Sequence, residues 1–306
     1  MTIRTTMSAV DWALLIFLSI LWGGSYFFGK TALAEIGPLT LTFARFVPAA
    51  LTLYLACRIM GHRMPTDARA WGAFLVMSLL NNSLPYALIA WSQTHIESGL
   101  ASILNASTPI FGAVLAHFLT TDERLTANRL IGVLLGFVGV ALLIGPGALK
   151  GLGVDGLAEL AALTAAFLYG CAGVYGRRFR GQPALVTTTG TIFMGAVLAL
   201  VPALYVEHPW TLHPGPSTWA AVGALTFLST ALGYVIFYRV MASSGGTNIL
   251  LVTLLVPVSA LILGMLFLGE EPSPLSFGGM ALIFLGLAAI DGRLPRALGL
   301  MRERSY

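Results

Sequence analysis

Charged side chains are scarce in this sequence. Asp, Glu, Lys and Arg make up 10% of its 306 residues, while hydrophobic residues make up 57%. Ordinary soluble domains carry roughly 25% charged residues. So few charges cannot cover a surface that faces water, so the composition excludes a soluble globular domain and indicates a protein that lies largely within a membrane.

Several motifs of energy-coupling and catalytic proteins are also missing. The sequence has no glycine-rich loop ending in Lys-Ser or Lys-Thr and no cluster of His and Cys, so it lacks the usual groups that hold nucleotide phosphates or a metal. This excludes an ATP-driven pump acting as one chain, and we expect neither a cofactor nor a metal. Cys57 and Cys171 both lie inside apolar stretches, so no disulfide framework is expected.

Long apolar stretches dominate what is present. A hydrocarbon layer about 30 Å thick requires roughly 20 apolar residues per helix. No small-residue cleavage site follows the first stretch, so we expect it to stay as a membrane helix rather than to be removed as a signal peptide. We predict an all-α polytopic membrane protein of ten transmembrane helices, at about 11–30, 38–59, 70–92, 98–120, 128–145, 156–176, 184–206, 217–241, 247–269 and 275–291.

The positive charges are distributed unevenly along this pattern. With the N-terminus in the cytoplasm, fourteen arginines fall on the cytoplasmic side, Lys30 and Lys150 on the other, and Arg45 within a helix. This is the asymmetry of the positive-inside rule. We predict a multi-pass protein of the bacterial inner membrane with both termini cytoplasmic. The net charge of +4 then reflects topology and contact with anionic lipid, not a nucleic-acid partner.

The chain also repeats itself. Each predicted half has five helices, and an odd number forces the second copy to enter the membrane from the opposite side, which is the inverted repeat of many secondary transporters. We predict halves at 1–148 and 149–292, connected through Gly145–Gly156, and a basic cytoplasmic tail at 293–306. Shifts of 148 or 147 residues pair Trp71 with Trp219, Tyr86 with Tyr234, Pro109 with Pro257, Gly132 with Gly279, Gly139 with Gly286, and Lys30 with Arg177.

Short motifs connect this pattern to a known family. The motifs are Leu21-Trp22-Gly23-Gly24-Ser25, Ala44-Arg45-Phe46, Pro109 followed by Asp122-Glu123-Arg124-Leu125-Thr126, and Pro257 with Leu268-Gly269-Glu270-Glu271-Pro272. With these motifs the chain resembles, over nearly its whole length, the EamA branch of the drug/metabolite transporter superfamily, and within it the YddG-type aromatic amino acid exporters. The first half departs from the expected Gly-Glu pair, since Asp122 stands where glycine is usual.

The resemblance implies a transporter that exports small organic solutes, with aromatic or other hydrophobic amino acids as the favoured substrates. No acidic residue lies near the centre of a predicted helix, so a proton-relaying carboxylate is lacking and a uniporter fits better. Export of drugs or other metabolites, possibly proton-coupled, is the alternative. An enzyme is not expected, because the acidic pairs 122–123 and 270–271 would lie on opposite sides of the membrane.

Two prolines mark candidate hinges. Proline inside a helix leaves the carbonyl four residues earlier without its usual donor. Pro109 frees the carbonyl of Asn105, and Pro257 frees that of Thr253. We predict that the fourth and ninth helices are gating elements with hinges at Pro109 and Pro257. The alternative interpretation is that neighbouring helices supply donors to these two carbonyls.

Polar and aromatic residues at similar depth suggest a central cavity lined by predicted helices 1, 3, 4, 6, 8 and 9. Tyr86 and Tyr234 are expected to face each other across it. The alternative for each aromatic residue is a place in the interfacial belt. The predicted substrate-binding residues are Trp22, Asn81, Ser83, Tyr86, Asn105, Tyr169, Tyr175, Ser229, Tyr234, Tyr238 and Thr253.

Two features have both a structural and a functional interpretation. Arg45 could bind a substrate carboxylate, extend outward to the membrane surface, or form a structural pair with Glu35 or Glu159, and the structural pair is favoured. The close-spaced glycines of predicted helices 5 and 10 indicate close helix packing. We expect these two helices to pack together within one chain, so the protein is a monomer, with a homodimer through the same helices as the alternative.

Overall fold

The computed structural model describes residues 7–120, 126–144, 153–244, 249 and 251–290. All regular structure in these ranges is helical. The predicted tail at 293–306, most of the Gly145–Gly156 connector and the Asp122–Glu123 turn lie outside them.

A helix occupies each of the ten predicted positions. Seven are at least 22 residues long with a mean hydropathy of 1.5 to 1.9, long enough to cross a membrane, and three are shorter and equally apolar. This confirms the all-helical polytopic architecture. The helices are α1 Ala9–Ala32, α2 Pro38–Ile59, α3 Ala68–Gln93, α4 Ser98–Leu119, α5 Ala127–Ile144, α6 Val154–Phe179, α7 Ala184–Glu207, α8 Pro216–Ser244, α9 Val252–Leu268 and α10 Pro274–Ile290.

Local sequence explains where several helices begin. Ser8 and Asp11 form a capping box at the start of α1, which satisfies backbone N–H groups that have no partner within the helix. Asp67 accepts a 2.8 Å hydrogen bond from the Ala70 N–H at the start of α3. Pro38 begins α2, where its missing N–H is not needed.

The two helices that carry the predicted hinges accommodate their prolines differently. In α4 the regular helix stops at Asn105 and resumes at Thr108, with Pro109 in the first turn of the second segment. The Thr108 hydroxyl donates a 2.8 Å hydrogen bond to the Asn105 carbonyl, so a neighbouring side chain satisfies the carbonyl that proline leaves free. In α9 the helix continues through Pro257.

Wider helical turns occur at the polar clusters of α3 and α8. Leu79–Ser83 in α3 and Ala224–Leu232 in α8 are π-helical. Such turns are rare and concentrate at functional sites. The first contains Asn81 and Asn82, and the second contains Thr230.

The glycines of α5 and α10 bring these two helices into close contact. A Cβ atom on Gly132 would lie 2.5 Å from the Gly286 carbonyl oxygen, and one on Gly139 would lie 2.8 Å from that of Gly279. Only glycine allows the backbones to approach this closely. The glycine faces are therefore used inside one chain, and a homodimer through α5 and α10 stays a prediction that would need their other faces.

Three carboxylates join helices at one end of the bundle, which we call the capped end and which comprises the loops 33–37, 94–97, 208–215 and 269–273. Glu207 accepts the N–H groups of Leu39 at 2.9 Å and Thr40 at 2.7 Å. Glu35 accepts the Gly215 N–H at 2.7 Å and the Thr218 hydroxyl at 2.6 Å. A carboxylate at a helix N-terminus is stabilised by the helix dipole, so these contacts fasten α1 to α8 and α7 to α2.

The third carboxylate joins α9 to α4. Glu270 accepts the Ser98 N–H at 2.7 Å, the Ser98 hydroxyl at 2.9 Å and the Gly99 N–H at 3.1 Å. Gly269, with φ of 66°, turns the chain at the end of α9 in a conformation that glycine adopts readily, and this turn directs Glu270 to α4. We call the opposite end, with the exposed Arg58, Arg63, Arg69, Arg178 and Arg239, the arginine end.

Candidate functional site

Arg45 lies inside the bundle rather than at its surface. Its side chain is 6% exposed. Its Nε donates a 2.9 Å hydrogen bond to Thr230 Oγ1 on α8, and its Nη2 donates a longer one of 3.4 Å to the Tyr86 hydroxyl on α3. The guanidinium carbon lies 4.3 Å from the centroid of the Tyr86 ring, a cation–π distance. Three helices therefore hold this charge in place.

The favoured pairing of Arg45 with Glu35 or Glu159 is wrong. Glu35 is engaged at the capped end, and in the described ranges no carboxylate oxygen lies within 4.0 Å of the guanidinium. A guanidinium has five N–H donors, of which the described residues accept two. A buried positive charge of this kind is costly unless an anion accompanies it, so the position is suited to binding an anionic group.

Tyrosines from four helices surround this charge. Tyr26, Tyr169 and Tyr234 lie close enough to Arg45 and to the Tyr86 hydroxyl for electrostatic interaction. The hydroxyl groups are polar and the rings apolar, so the site presents both surfaces. We call the following set the central cluster: Tyr26, Arg45, Tyr86, Asn105, Tyr169, Thr230 and Tyr234.

Asparagine side chains supply the remaining polar groups. Asn105 Nδ2 donates a 2.8 Å hydrogen bond to the Tyr26 hydroxyl, and Asn81 is a hydrogen-bonding neighbour of the Tyr234 hydroxyl. Asn105 Oδ1 and both amide atoms of Asn82 are buried with no hydrogen-bond partner among the described residues. Buried polar groups are normally paired, so the free Asn105 Oδ1 atom beside Tyr26 marks a place in the cluster where a hydrogen-bond donor of a ligand would be favourable.

An aromatic row extends from the cluster toward the arginine end. Trp22 meets Tyr234 edge to face with ring centroids 6.3 Å apart, and Tyr234 stacks on Tyr238 at 6.1 Å. The Tyr238 hydroxyl is 2.7 Å from that of Thr188 on α7. These contacts form a continuous aromatic surface of the kind that binds planar apolar groups.

The structure thus brings together five of the predicted binding residues, which are Asn81, Tyr86, Asn105, Tyr169 and Tyr234. Trp22 and Tyr238 belong to the adjoining aromatic row. Tyr86 and Tyr234 both pack against the core layer that contains Phe46 and Ile192, and that they face each other across a cavity stays a prediction.

The other four predicted residues lie elsewhere. The Ser229 hydroxyl donates to the Leu21 carbonyl at 2.8 Å and so joins α8 to α1. The Ser83 hydroxyl is 3.3 Å from that of Ser78 in the same helix, α3. Tyr175 packs near Phe179 at the arginine end. Thr253 is half-buried on α9, one turn before Pro257.

Sequence reasoning missed Tyr26 and underrated Arg45. Tyr26 follows Trp22 by four residues, the spacing that places two side chains on one face of a helix, and this was the available signal. The partners of Arg45 carried no signal, because Thr230 is 185 positions away in the chain.

The capped end has its own electrostatic pattern. Burial, and next the charge of Glu270, raise the pKa of the Glu97 carboxyl. The hydrogen bond from Thr218, followed by that from the Gly215 N–H, lowers the pKa of Glu35. The Lys30 ammonium donates to the carbonyls of Gln93 and Ile96 and thereby fastens α1 to the end of α3.

Several curated proteins are similar to this chain over nearly their whole length. A probable terminal-alkyne amino-acid exporter of Streptantibioticus cattleyicolor is 28% identical over 307 residues, covering 98% of each chain. A probable amino-acid metabolite efflux pump of Escherichia coli is 26% identical, covering 92% of this chain and 94% of the other. An uncharacterized transporter of Bacillus subtilis is 26% identical over 280 residues.

The fold and the family agree with these relatives. One crystal structure superimposes with a TM-score of 0.67 at 21% identity, covering 95% of this chain and 99% of the other, which establishes the fold. The EamA-like transporter family matches twice, at residues 11–145 and 156–290. The chain therefore belongs to the EamA-like transporter family.

Proposed function

We propose that this transporter exports aromatic and other hydrophobic amino acids from the cytoplasm as a uniporter. The observation that carries the proposal is the buried Arg45, which has no acidic partner in the described part of the chain and is surrounded by tyrosines. A YddG-type specificity for aromatic amino acids belongs to this proposal.

The groups of the central cluster match the parts of such a substrate. The free N–H groups of Arg45 would donate two charge-assisted hydrogen bonds to the substrate carboxylate. The Asn105 Oδ1 atom would accept a hydrogen bond from the substrate ammonium. The rings of Tyr234, Trp22 and Tyr238 would pack against an aromatic side chain.

The names of two relatives support the amino-acid class. Those proteins are named as an exporter of a terminal-alkyne amino acid and as an efflux pump for amino-acid metabolites. The names describe those proteins, and they favour a substrate with a carboxylate over a lipophilic cation. A buried arginine would repel such a cation.

Alternating access through an inverted repeat is the proposed mechanism. The proposed halves are 1–148 and 149–292, and two contacts between α5 and α10 support them. Under the shift of 147, Gly132 pairs with Gly279 and Gly139 with Gly286, so the contact of Gly132 with Gly286 is the repeat image of that of Gly139 with Gly279. A twofold axis through this seam would produce both contacts.

The contacts of α4 and α9 indicate which end is closed. Near the capped end, a Cβ on Gly99 of α4 would lie 2.6 Å from Leu261 of α9. Beyond Pro109, α4 leaves α9 and packs on α6, where a Cβ on Gly170 would lie 3.0 Å from the Gly112 nitrogen. The arginine end is then the open, cytoplasmic side of the bacterial inner membrane, and Pro109 and Pro257 would be the hinges for the exchange.

A proton-coupled exporter of drugs or other metabolites is the second candidate function. The observation that favours it is Glu97, whose pKa is raised by burial and by the charge of Glu270. Protonation of Glu97 would reduce the repulsion between these two carboxylates and so alter how firmly the capped end is held.

Uptake into proteoliposomes tests the proposal directly. Labelled phenylalanine, tryptophan, leucine and threonine are supplied with and without an imposed pH gradient, together with phenethylamine, which lacks the carboxylate. We expect saturable uptake of the aromatic amino acids, weaker uptake of leucine, no uptake of phenethylamine and no effect of the gradient. Transport of phenethylamine at the rate of phenylalanine would contradict the role of Arg45, and dependence on the gradient would favour the second candidate.

A further inference from the structure

A separate apolar groove lies on the outer surface of the bundle between α2, α3 and α7. Its volume is about 470 Å³, and nearly all of its lining atoms are apolar. The residues along its length include Phe43, Val47 and Tyr54 of α2 and Val197 of α7. Val47 is 44% and Val197 47% exposed, so the groove opens toward the surrounding lipid rather than into the bundle.

The groove is distinct from the central cluster. The buried side chains of Phe46, Leu53 and Ile192 form a core layer between α2 and α7, and Tyr86 and Tyr234 pack against this layer. Ala50 and Ala196 of the same layer also form the floor of the groove. An occupant of the groove would therefore not touch Arg45 or the tyrosines around it.

The length of the groove matches one leaflet of a bilayer. From Phe43 to Tyr54 it follows α2 for eleven residues, which at 1.5 Å per residue is about 17 Å. Half of the hydrocarbon thickness of a bilayer is about 15 Å. One extended acyl chain would fill this length.

Positive charge gathers at the end of the groove formed by Tyr54, Met64 and Trp71. Arg58 lies one helical turn beyond Tyr54 on α2, Arg63 precedes Met64, and Arg69 lies in the first turn of α3. All three are exposed, and in the described ranges none is within ion-pair distance of a carboxylate. Asp67, the one acidic residue of this segment, caps α3 through the Ala70 N–H.

Trp71 fixes the boundary between the apolar and charged parts. Its indole N–H donates a 2.9 Å hydrogen bond to the Pro65 carbonyl, and its ring meets Phe193 of α7 edge to face at 5.5 Å. Tryptophan favours the level of lipid headgroups. The charged loop is therefore placed where the headgroup of a lipid in the groove would lie.

We propose that this groove is a binding site for an anionic phospholipid, with one acyl chain along α2 and α7 and the headgroup phosphate against Arg58, Arg63 and Arg69. An apolar groove open to lipid takes a hydrocarbon chain, and the arginines select a negatively charged headgroup. Each arginine near an anionic headgroup adds a favourable electrostatic contribution, so lipids with a neutral net charge bind more weakly.

Fluorescence quenching tests the site. Phosphatidylglycerol with brominated acyl chains is titrated into purified full-length protein in detergent micelles, and phosphatidylcholine with the same chains is the comparison. The protein has six tryptophans, and Trp71→Phe identifies the part of the signal that comes from the groove. We expect phosphatidylglycerol to give saturable quenching at a mole fraction at least tenfold lower than phosphatidylcholine requires. The part of the quenching that comes from Trp71 should be lost in Trp71→Phe.

Two pairs of variants separate the site from general surface charge. The double variant Arg63→Gln/Arg69→Gln should weaken phosphatidylglycerol binding about tenfold. The double variant Arg178→Gln/Arg239→Gln, which removes two other exposed charges at the arginine end, should leave this binding unchanged. Val197→Phe, which fills the groove from an exposed position, should remove saturable quenching by either lipid. Equal quenching by the two lipids, or wild-type binding in the first pair, would overturn the proposal.

The mass of the protein–detergent complex tests the alternative occupant of the groove, a second copy of the chain. If the groove were covered by a second copy of the chain, Val197→Phe would change the mass of the protein–detergent complex and wild-type protein would show no saturable quenching by lipid. That result would also overturn the proposal. An unchanged mass with loss of lipid quenching supports it.

Discussion

Arg45 Nε donates a 2.9 Å hydrogen bond to Thr230 Oγ1, and this contact joins α2 in the first half of the chain to α8 in the second. Together with the longer bond from Nη2 to the Tyr86 hydroxyl, it fixes the plane of the guanidinium and leaves three N–H groups without an acceptor among the described residues. The position of the charge is thus set by the fold before any substrate arrives, which lowers the cost of binding.

Arg45→Gln should raise the KM for phenylalanine about tenfold to a hundredfold. Hydrogen bonds to charged groups contribute about 1.5–3 kcal/mol, and each 1.4 kcal/mol corresponds to a factor of ten. Arg45→Lys keeps the charge but loses the planar two-point geometry, so its KM should lie between the two. Uptake kinetics in proteoliposomes measure this, with Arg239→Gln as the control, and an unchanged KM in Arg45→Gln would exclude a substrate contact.

Tyr86→Ala and Tyr234→Ala should weaken substrate recognition while the protein still inserts into the membrane. Each change removes a ring from the central cluster, and an aromatic pair contributes about 0.5–1.5 kcal/mol beyond burial. A rise of about threefold to tenfold in KM for tryptophan is expected, with Tyr86→Phe nearer to the wild type. Wild-type kinetics in both alanine variants would disprove the proposed site.

Glu270→Gln should loosen the capped end. The carboxylate accepts three hydrogen bonds from Ser98 and Gly99, and losing a charged helix cap costs about 1 kcal/mol. Amide hydrogen exchange in the segment Ser98–Asn105 should become about fivefold faster. Glu271→Gln is the matched control, and equal exchange in both variants would show that the cap does not hold α4.

Glu97→Gln should stabilise the protein at neutral pH. The pKa of Glu97 is raised in the fold, so the folded state binds its proton more tightly than the unfolded state does. The free energy of unfolding of the wild type therefore increases as the pH falls through the raised pKa of Glu97. The uncharged glutamine of the variant gives the same increase already at pH 7. Thermal unfolding in detergent from pH 4 to 8 should show a Tm difference that shrinks as the pH falls, and a constant difference would contradict it.

Gly132→Val should destabilise the packing of α5 on α10. Its side chain would meet the Gly286 carbonyl oxygen at 2.5 Å, and overpacking costs about 1–3 kcal/mol. Gly72→Ala is the control, since a Cβ there meets nothing within 4 Å and alanine favours the helix. A lower Tm is expected in the first variant only, as measured by thermal unfolding in detergent.

The number and positions of the helices were predictable because each depends on a local run of apolar residues. The break of α4 was partly predictable, because proline acts within one helical turn of Asn105. The direction in which a residue points was not, since helices in a bundle within lipid are apolar on all faces and give little periodic signal. For Tyr26 the only local signal was its four-residue spacing from Trp22.

Long-range contacts set the rest of the site. Glu35, Glu207 and Glu270 each cap a helix at least 167 positions away, and nothing in their neighbourhood in the sequence identifies that partner. Arg45 was assigned an acidic partner because a buried charge usually has one. That rule fails where the structure leaves the charge available for a ligand.

The glycine seam between α5 and α10 has a consequence for the energetics of transport. If the two halves exchange conformations as proposed, the contacts of this seam are replaced by their repeat-related equivalents and stay the same. The seam then contributes equally to the inward-open and outward-open forms and creates no preference between them. A resting preference must then come from positions where the paired residues differ. Arg45 is such a position, because its counterpart is Ile192 at a shift of 147 and Phe193 at 148. If the halves exchange as proposed, Arg45 would therefore contribute to the energy difference between the two forms of the empty transporter as well as to substrate binding.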